Sequence, residues 1–305
     1  MNLLDVDRVS KSYGSFKAVD EVSFNVSKGR IFGLLGPNGA GKTSMIRMIN
    51  YITAPDSGSI HISGQPVSEQ TQSMVGYLPE ERGLYKKMKV GEQLLYLVRL
   101  RGLSKEDARA SIRHWLQRFE AESWINKEVG ELSKGMQQKI QFIAAIAHAP
   151  ELYIFDEPFS GLDPINSEIL KKIILELKES GKTILFATHR MEQVEQMCDD
   201  ICLFNKGKAI LNGNLNQIKQ QMGKNSVIIE FEGNGNFLDE LSNIRINNRS
   251  TNYAEIRVLA DSDPQDILRK AIETVRVTKF EYVYPSLNEI FIEKVGIDNL
   301  NQQEL

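Results

Sequence analysis

Gly36-Pro37-Asn38-Gly39-Ala40-Gly41-Lys42-Thr43 fits the spacing G-x-x-x-x-G-K-[ST], with Ser44 closing the stretch. Glycine lets consecutive backbone N–H groups turn inward, so a loop of this composition can surround phosphate oxygens. Lys42 would reach the outer phosphates of a nucleotide, and the Thr43 hydroxyl is a hard oxygen donor for Mg²⁺. A helix starting there would add the positive end of its dipole beneath the polyanion. Gly, Asn and Pro also mark ordinary turns, but the flanks argue against a chance match. Ile31-Phe32-Gly33-Leu34-Leu35 reads as a buried strand running into the loop, and Met45-Ile46 with Met48-Ile49 gives the following helix an apolar face.

A second chemical stretch, Leu152-Tyr153-Ile154-Phe155-Asp156-Glu157, ends an apolar strand on two carboxylates. Mg²⁺ takes few protein ligands and keeps several waters, so Asp156 is its expected partner. Glu157 points differently and can orient an attacking water or accept its proton. A third stretch, Leu132-Ser133-Lys134-Gly135-Met136, opens a helix that runs to Ala147. The Ser133 hydroxyl and the bare Gly135 N–H at a helix start form an anion site, although a plain helix cap would look the same.

The elements around these stretches change character along the chain. Short alternating strands are expected at Asp7–Ser10, Val22–Val26 and Ser59–Ile62, forming an antiparallel β subdomain. From about residue 88 to 150 the apolar spacing turns helical, through Leu94, Leu97 and Val98, then Ile112, Trp115 and Leu116, then Ile140, Ile143 and Ala144. Strands return at Leu152–Phe155, Thr183–Ala187 and Ile201–Phe204, with helices between them at Ile169–Ser180 and Glu192–Met197. This alternation implies an α/β fold with a largely parallel sheet. A hairpin through Asn205-Lys206-Gly207-Lys208 closes a first domain at residue 215. After a polar stretch, residues 222–295 carry the order βαββαβ of a small ferredoxin-like α+β domain, and 296–305 read as a polar tail.

Whole-chain properties narrow the partners. The 305 residues suit two domains, and 37 basic against 40 acidic side chains leave a net charge of −3 without a basic tract, so no nucleic acid is expected. The longest apolar run, about Phe142 to Ala147, is far short of a spanning helix, and the first residues lack a signal peptide's plan. A cytoplasmic protein is expected. Cys198 and Cys202, one helical turn apart without further metal-spaced ligands, are expected to be packing residues.

In this order, the three stretches resemble the nucleotide-binding subunits of ATP-binding-cassette (ABC) transporters over residues 3 to 215. The resemblance implies a P-loop NTPase cassette that hydrolyses ATP with Mg²⁺, pairs with a second nucleotide-binding subunit and drives a separate membrane-spanning permease from the cytoplasmic face of the membrane. It implies that Tyr13 stacks on adenine, and that Ser160-Gly161-Leu162-Asp163 touches the opposing subunit, with Asp163 at the shared nucleotide. His189, after Thr188, resembles the family's switch histidine near the γ-phosphate. Ser133 and Gly135 would meet ATP bound to the partner, although Leu-Ser-Lys-Gly-Met departs from the commoner Leu-Ser-Gly-Gly-Gln. A second departure is Glu80, where the family usually has glutamine facing Mg²⁺ or its water. The carboxylate is still a hard oxygen donor but adds negative charge beside the triphosphate. Glu80-Glu81-Arg82-Gly83-Leu84-Tyr85 and the appended domain most resemble subunits of sodium-, drug- or peptide-export systems. Soluble ABC-type ATPases acting on DNA or ribosomes are the alternative. With only about 90 residues between Lys42 and Ser133 there is no room for a rod-like insertion, and a single cassette per chain is unlike the translation type.

Overall fold

Two long strands, β1 (Asn2–Tyr13) and β2 (Phe16–Ser27), open the chain as an antiparallel hairpin. They run well beyond the short segments expected from alternation, because Arg8 (φ 42°) and Glu21 (φ 50°) sit at irregular steps in the register. A bulge shifts the inside-outside pattern without ending the pairing. The computed structural model describes residues 1–81, 83–223, 225–259 and 263–296; Arg82 and the expected tail beyond Gly296 lie outside them.

The chain continues through β3 (Ile31–Leu35), α1 (Lys42–Ile49), β4 (Ser57–Ile62), β5 (Gln65–Pro66), β6 (Val75–Leu78), α2 (Val90–Leu100), α3 (Lys105–Arg118) and α4 (Lys134–Ile146). Then follow β7 (Leu152–Asp156), α5 (Pro164–Glu179), β8 (Thr183–Thr188), α6 (Met191–Met197), β9 (Asp200–Asn205) and β10 (Lys208–Asn214). One sheet has the order β2-β1-β4-β5, the other β10-β9-β3-β8-β7-β6. In the second, β9, β3, β8, β7 and β6 pair in parallel, so their carboxyl ends share one edge.

The core forms between the sheets. Leu4, Val6 and Phe24 meet Phe32, Leu34, Ile154 and Leu185, and Met45, Ile46 and Ile49 hold α1 in the same cluster. Each such side chain contributes roughly 1.5–3 kcal/mol on burial. Because β3 and α1 are both anchored here, the loop between them is held at both ends.

Helices α2, α3 and α4 make the helical subdomain, with Phe142 of α4 edge-on to Phe119 and 4.9 Å between its ring and that of Phe155 on β7. Helix α5 begins five residues before its expected start, because Asp163 caps it and Pro164 occupies its first turn. The Cys198 and Cys202 thiols are free and buried.

Just beyond α4, buried His148 has its Nε2 3.2 Å from the Val75 carbonyl, while among the described residues Nδ1 has no partner. Burial is the main cause that pushes its pKa down to about 4. The folded value lies below the unfolded value of about 6.5, so stability is complete above that pH and falls as pH drops toward 4. Between pH 7 and pH 5 the chain is expected to lose about 2 kcal/mol more than His148→Leu. Denaturant titrations of both proteins at the two pH values check this; equal losses would rule His148 out as the source.

The second compact unit, Asn214–Leu305, is distinct from Met1–Gly213. Its opening polar stretch is a helix, α7 (Leu215–Gln221), rather than a linker: the Asn214 side chain caps it and Leu215 and Ile218 are buried. Strands β11 (Ser226–Glu232), β12 (Ile244–Ser250) and β13 (Tyr253–Val258), helix α8 (Pro264–Thr274), strand β14 (Arg276–Val283) and helix α9 (Leu287–Val295) follow. The sheet order β12-β13-β11-β14, antiparallel throughout, is that of a split βαββαβ arrangement. The expected first α-helix is instead a 3₁₀ segment, Gly235–Glu240, which buries the adjacent Phe237 and Leu238. Ser286 and Glu289 complete the reciprocal capping box at α9.

Candidate functional site

Parallel pairing aligns the chemical stretches. Leu35 lies beside Thr188, and Asp156 beside Ala187, so the glycine loop, Asp156-Glu157 and Thr188-His189 leave neighbouring strands at the same edge. Glu80 leaves β6 two residues after Leu78, whose partner is Phe155. A cavity of about 300 Å³ at this edge is lined by Asn38, Gly39, Gly41, Lys42, Thr43, Ser44, Glu80, Asp156 and Glu157, together with Phe16, Ala18 and Ala40.

The loop is shaped by its glycines. At Gly36 (φ 145°) an added Cβ would run into the Phe204 carbonyl, and at Gly41 (φ 110°) into that of Ala18. Both contacts are with backbone, so no side-chain movement could relieve them. Gly41 precedes α1 with no side chain capping the helix and no acidic residue in its first turn. The free N–H groups and the helix dipole therefore face the cavity undiminished.

Lys42 is buried, and its Nζ donates to the carbonyls of Gly36 at 2.6 Å and Pro37 at 3.0 Å. Desolvation lowers its pKa against the opposing pull of Glu157, Asp156 and Glu80. Asp156 is 2% exposed and, among the described residues, its Oδ2 has no partner. Burial, then the charges of Glu80 and Glu157, push its pKa up to about 7. An orphaned buried carboxylate oxygen, sharing a cavity with the Thr43 hydroxyl and Glu80, is a donor set that fits Mg²⁺. Among the described residues no group of three or more His, Cys, Asp or Glu could hold a metal by itself. Hard-oxygen coordination by one or two carboxylates plus phosphates remains the compatible chemistry.

Glu157 occupies a left-handed backbone position (φ 48°) fastened by its N–H to the Ala187 carbonyl. Its carboxylate is locked. Oε2 accepts from the Thr188 hydroxyl at 3.0 Å, and Oε1 accepts from the His189 N–H at 2.8 Å and lies 2.6 Å from His189 Nδ1. The spacing of Thr188 to Glu157 gave no signal of this bond in the sequence; only the pairing of β7 with β8 makes it.

Other candidates stand apart. Tyr13 is half-exposed, with Lys11 Nζ 5.8 Å above its ring, and is not among the cavity's lining residues. Its hairpin partner Phe16 lines the cavity and is 62% exposed. An exposed aromatic just after the Tyr13-Gly14 turn was the available signal for Phe16. Ser133, Gly135 and Asp163 are also outside the cavity lining. Ser133 caps α4 by accepting from the Met136 N–H at 3.3 Å, and Asp163 caps α5 by accepting from Asn166 N–H at 3.0 Å. The Asn166 hydrogen bonds hold the Asp163 carboxyl below the usual range. A Cβ at Gly135 would meet nothing closer than Leu162 at 3.7 Å, and no positive φ is present there.

The ABC transporter family model matches residues 19–160, and the C-terminal domain model of DrrA1-3-like ATP-binding proteins matches 213–295. The chain is similar to the ABC transporter ATP-binding protein YhaQ of Bacillus subtilis (strain 168), itself uncharacterized, at 46% identity over 96% of this chain and 99% of that one. It is similar to the Nod factor export ATP-binding protein I of Rhizobium etli (strain ATCC 51251 / DSM 11541 / JCM 21823 / NBRC 15573 / CFN 42) at 36% identity, over 79% and 77% of the two chains. In fold it is similar to the bacterial ABC transporter cassette MJ0796, solved as a dimer, with a TM-score of 0.65 and 22% identity over 70% of this chain and 98% of that one. These relatives favour transport over action on DNA or ribosomes. The chain belongs to the ABC transporter family, as an ATP-hydrolysing ATP-binding subunit.

Proposed function

We propose that two cassettes close face to face around ATP and drive a separate membrane-spanning permease that exports its substrate. The observation that carries the reading is an incomplete cage. The phosphate cavity is lined by the glycine loop and the strand-end carboxylates, while the α4 start, with Ser133 exposed and Gly135 half-buried, lies outside that lining. Gly135 needs neither a special backbone conformation nor space within its own chain. A helix start that carries only the Ser133 cap and a glycine one residue into the helix suits a phosphate group supplied by a partner. The dimeric form of the similarly folded MJ0796 cassette supports the pairing, and the Nod factor export relative supports the direction.

In this reading, Asn38, Gly39, Gly41 and Ser44 wrap the phosphates, Gly36 permits the turn, and Lys42 transfers its bonds from loop carbonyls to the outer phosphate oxygens. Thr43, Asp156 and Glu80 hold Mg²⁺, which when bound offsets charge on the phosphates. Glu157 takes the proton of the attacking water, while Thr188 and His189 keep it aimed. His189 is then placed to respond to loss of the γ-phosphate. Tyr13 or Phe16 offers a ring to adenine. Ser133, Gly135 and Asp163 act on the nucleotide of the partner subunit.

The permease would seat in a groove of about 680 Å³ bordered by Tyr77, Leu84, Leu97, Leu100 and Ala144. Among the described residues no helix is long and apolar enough to cross a membrane, and in this reading the spanning part is the separate permease. The cytoplasmic face is the expected location, because ATP is there.

Hydrolysis per molecule is expected to rise with protein concentration and to level off once dimers predominate. Turnover per molecule that stays constant on dilution into the isolated-chain range would reject the shared cage. Retention of one hydrophobic polypeptide through detergent purification is expected as the independent sign of a permease.

A further inference from the structure

Helix α4 carries two buried glutamines one turn apart, and each grips a backbone carbonyl next to a site carboxylate. Gln138 Nε2 donates to the Pro158 carbonyl at 3.1 Å, immediately after Glu157. Gln141 Nε2 donates to the carbonyls of Pro79 at 3.0 Å and Glu81 at 3.1 Å, on either side of Glu80. Glu80 itself is exposed and lines the phosphate cavity.

The geometry points to Gln141 as a positioning residue for Glu80. One amide group bridges the two peptide carbonyls that flank Glu80, so the backbone on both sides of its Cα is fixed to a rigid helix. The orientation of the amide is unambiguous. Turned over, its oxygen would face two carbonyl oxygens, and both hydrogen bonds would become repulsions. Among the described residues the arrangement also leaves Gln141 Oε1 buried without a partner, an unfavourable feature that packing alone would remove by placing an apolar side chain there.

Close approach of α4 to β6 makes the bridge possible. At Gly76 a Cβ would collide with the Ala145 carbonyl and come within 2.7 Å of Pro150, so only a glycine lets the helix lie this near the strand that leads to Glu80. Gln141 also lines the groove proposed to receive the permease. Occupation of that groove would thus bear on the residue that sets Glu80's position. The inference rests on the reading of Glu80 as a group that faces the nucleotide and its metal.

The test is a double-mutant cycle on the full chain. Gln141→Met keeps the side chain's volume and removes the amide. It is expected to lower kcat for ATP about tenfold while KM changes less than about twofold, since the glycine loop is untouched. In Glu80→Ala, Gln141→Met is expected to produce no further fall, because the group it positions is gone. In the nucleotide-free protein, amide hydrogens in peptides containing Pro79–Glu81 are expected to exchange faster in Gln141→Met, with peptides of β3 and α1 unchanged. Should Gln141→Met fail to fold, Gln141→Leu also removes the N–H pair without adding a charge or an O–H donor and is expected to behave alike. Full kcat, multiplying losses in the double mutant, or unchanged exchange would each overturn the inference while leaving the site reading intact. Full kcat in Glu80→Ala alone would overturn the reading of Glu80 and the inference with it.

Discussion

Glu157→Gln is expected to lower steady-state ATP hydrolysis by a factor of about 10²–10⁴, the usual contribution of a positioned proton acceptor. The replacement suits the site sterically. A glutamine oxygen can accept from the His189 N–H where Oε1 does now, and its amide can donate to the Thr188 hydroxyl, which faces Oε2 at 3.0 Å. What disappears is the charge and the ability to take a proton from water. ATP binding depends on the loop, the α1 start and Lys42, none of which Glu157 hydrogen-bonds, and Asp156 and Glu80 still favour the Lys42 charge, so ATP affinity should stay within about twofold. Binding without turnover should then accumulate an ATP-loaded dimer. Phosphate release and size-exclusion chromatography with ATP measure the two effects. Undiminished hydrolysis would remove Glu157 from its role, and loss of ATP binding would show that the substitution had disturbed the loop instead.

Lys42→Ala is expected to weaken ATP binding about 10- to 150-fold, corresponding to one charge-assisted hydrogen bond of about 1.5–3 kcal/mol. The buried Lys42 ammonium sits among three carboxylates and holds two loop carbonyls. Removing it strips the phosphate site of its fixed cation and leaves the charges of Asp156, Glu157 and Glu80 without their nearest counterweight. Lys42 also lowers the Asp156 pKa, so in Lys42→Ala that carboxyl should hold its proton to higher pH. Affinity in the variant is therefore expected to depend more steeply on pH near 7. Isothermal calorimetry at two pH values reads both effects. Equal affinity of mutant and parent would overturn the reading of the loop.

Much of the site was legible because its chemistry is local. The glycine loop works through φ angles and a helix start that follow from consecutive residues, and Asp156-Glu157 falls at the end of an apolar run that can only be a buried strand. Where local signals were weak, sequence reasoning stopped short. Alternation broken by Arg8 and Glu21 hid the length of β1 and β2, and Leu215 with Ile218 was too short an apolar pair to reveal α7. The first helix of the second unit is a 3₁₀ segment because adjacent apolar residues, Phe237 and Leu238, turn into the core together.

By itself the sequence determined which groups this protein brings to its chemistry: a glycine-rich loop, two strand-end carboxylates, a serine-capped helix start and the family these imply. Tertiary structure alone decided how those groups meet. The Glu157 clasp by Thr188 and His189, the orphaned Asp156 oxygen, the ring of Phe16 at the cavity and the Gln141 bridge across Glu80 all join residues far apart in the chain. Such contacts depend on strand order and on how closely helix and sheet approach. Those are properties of packing between elements, and no residue pattern within one element encodes them.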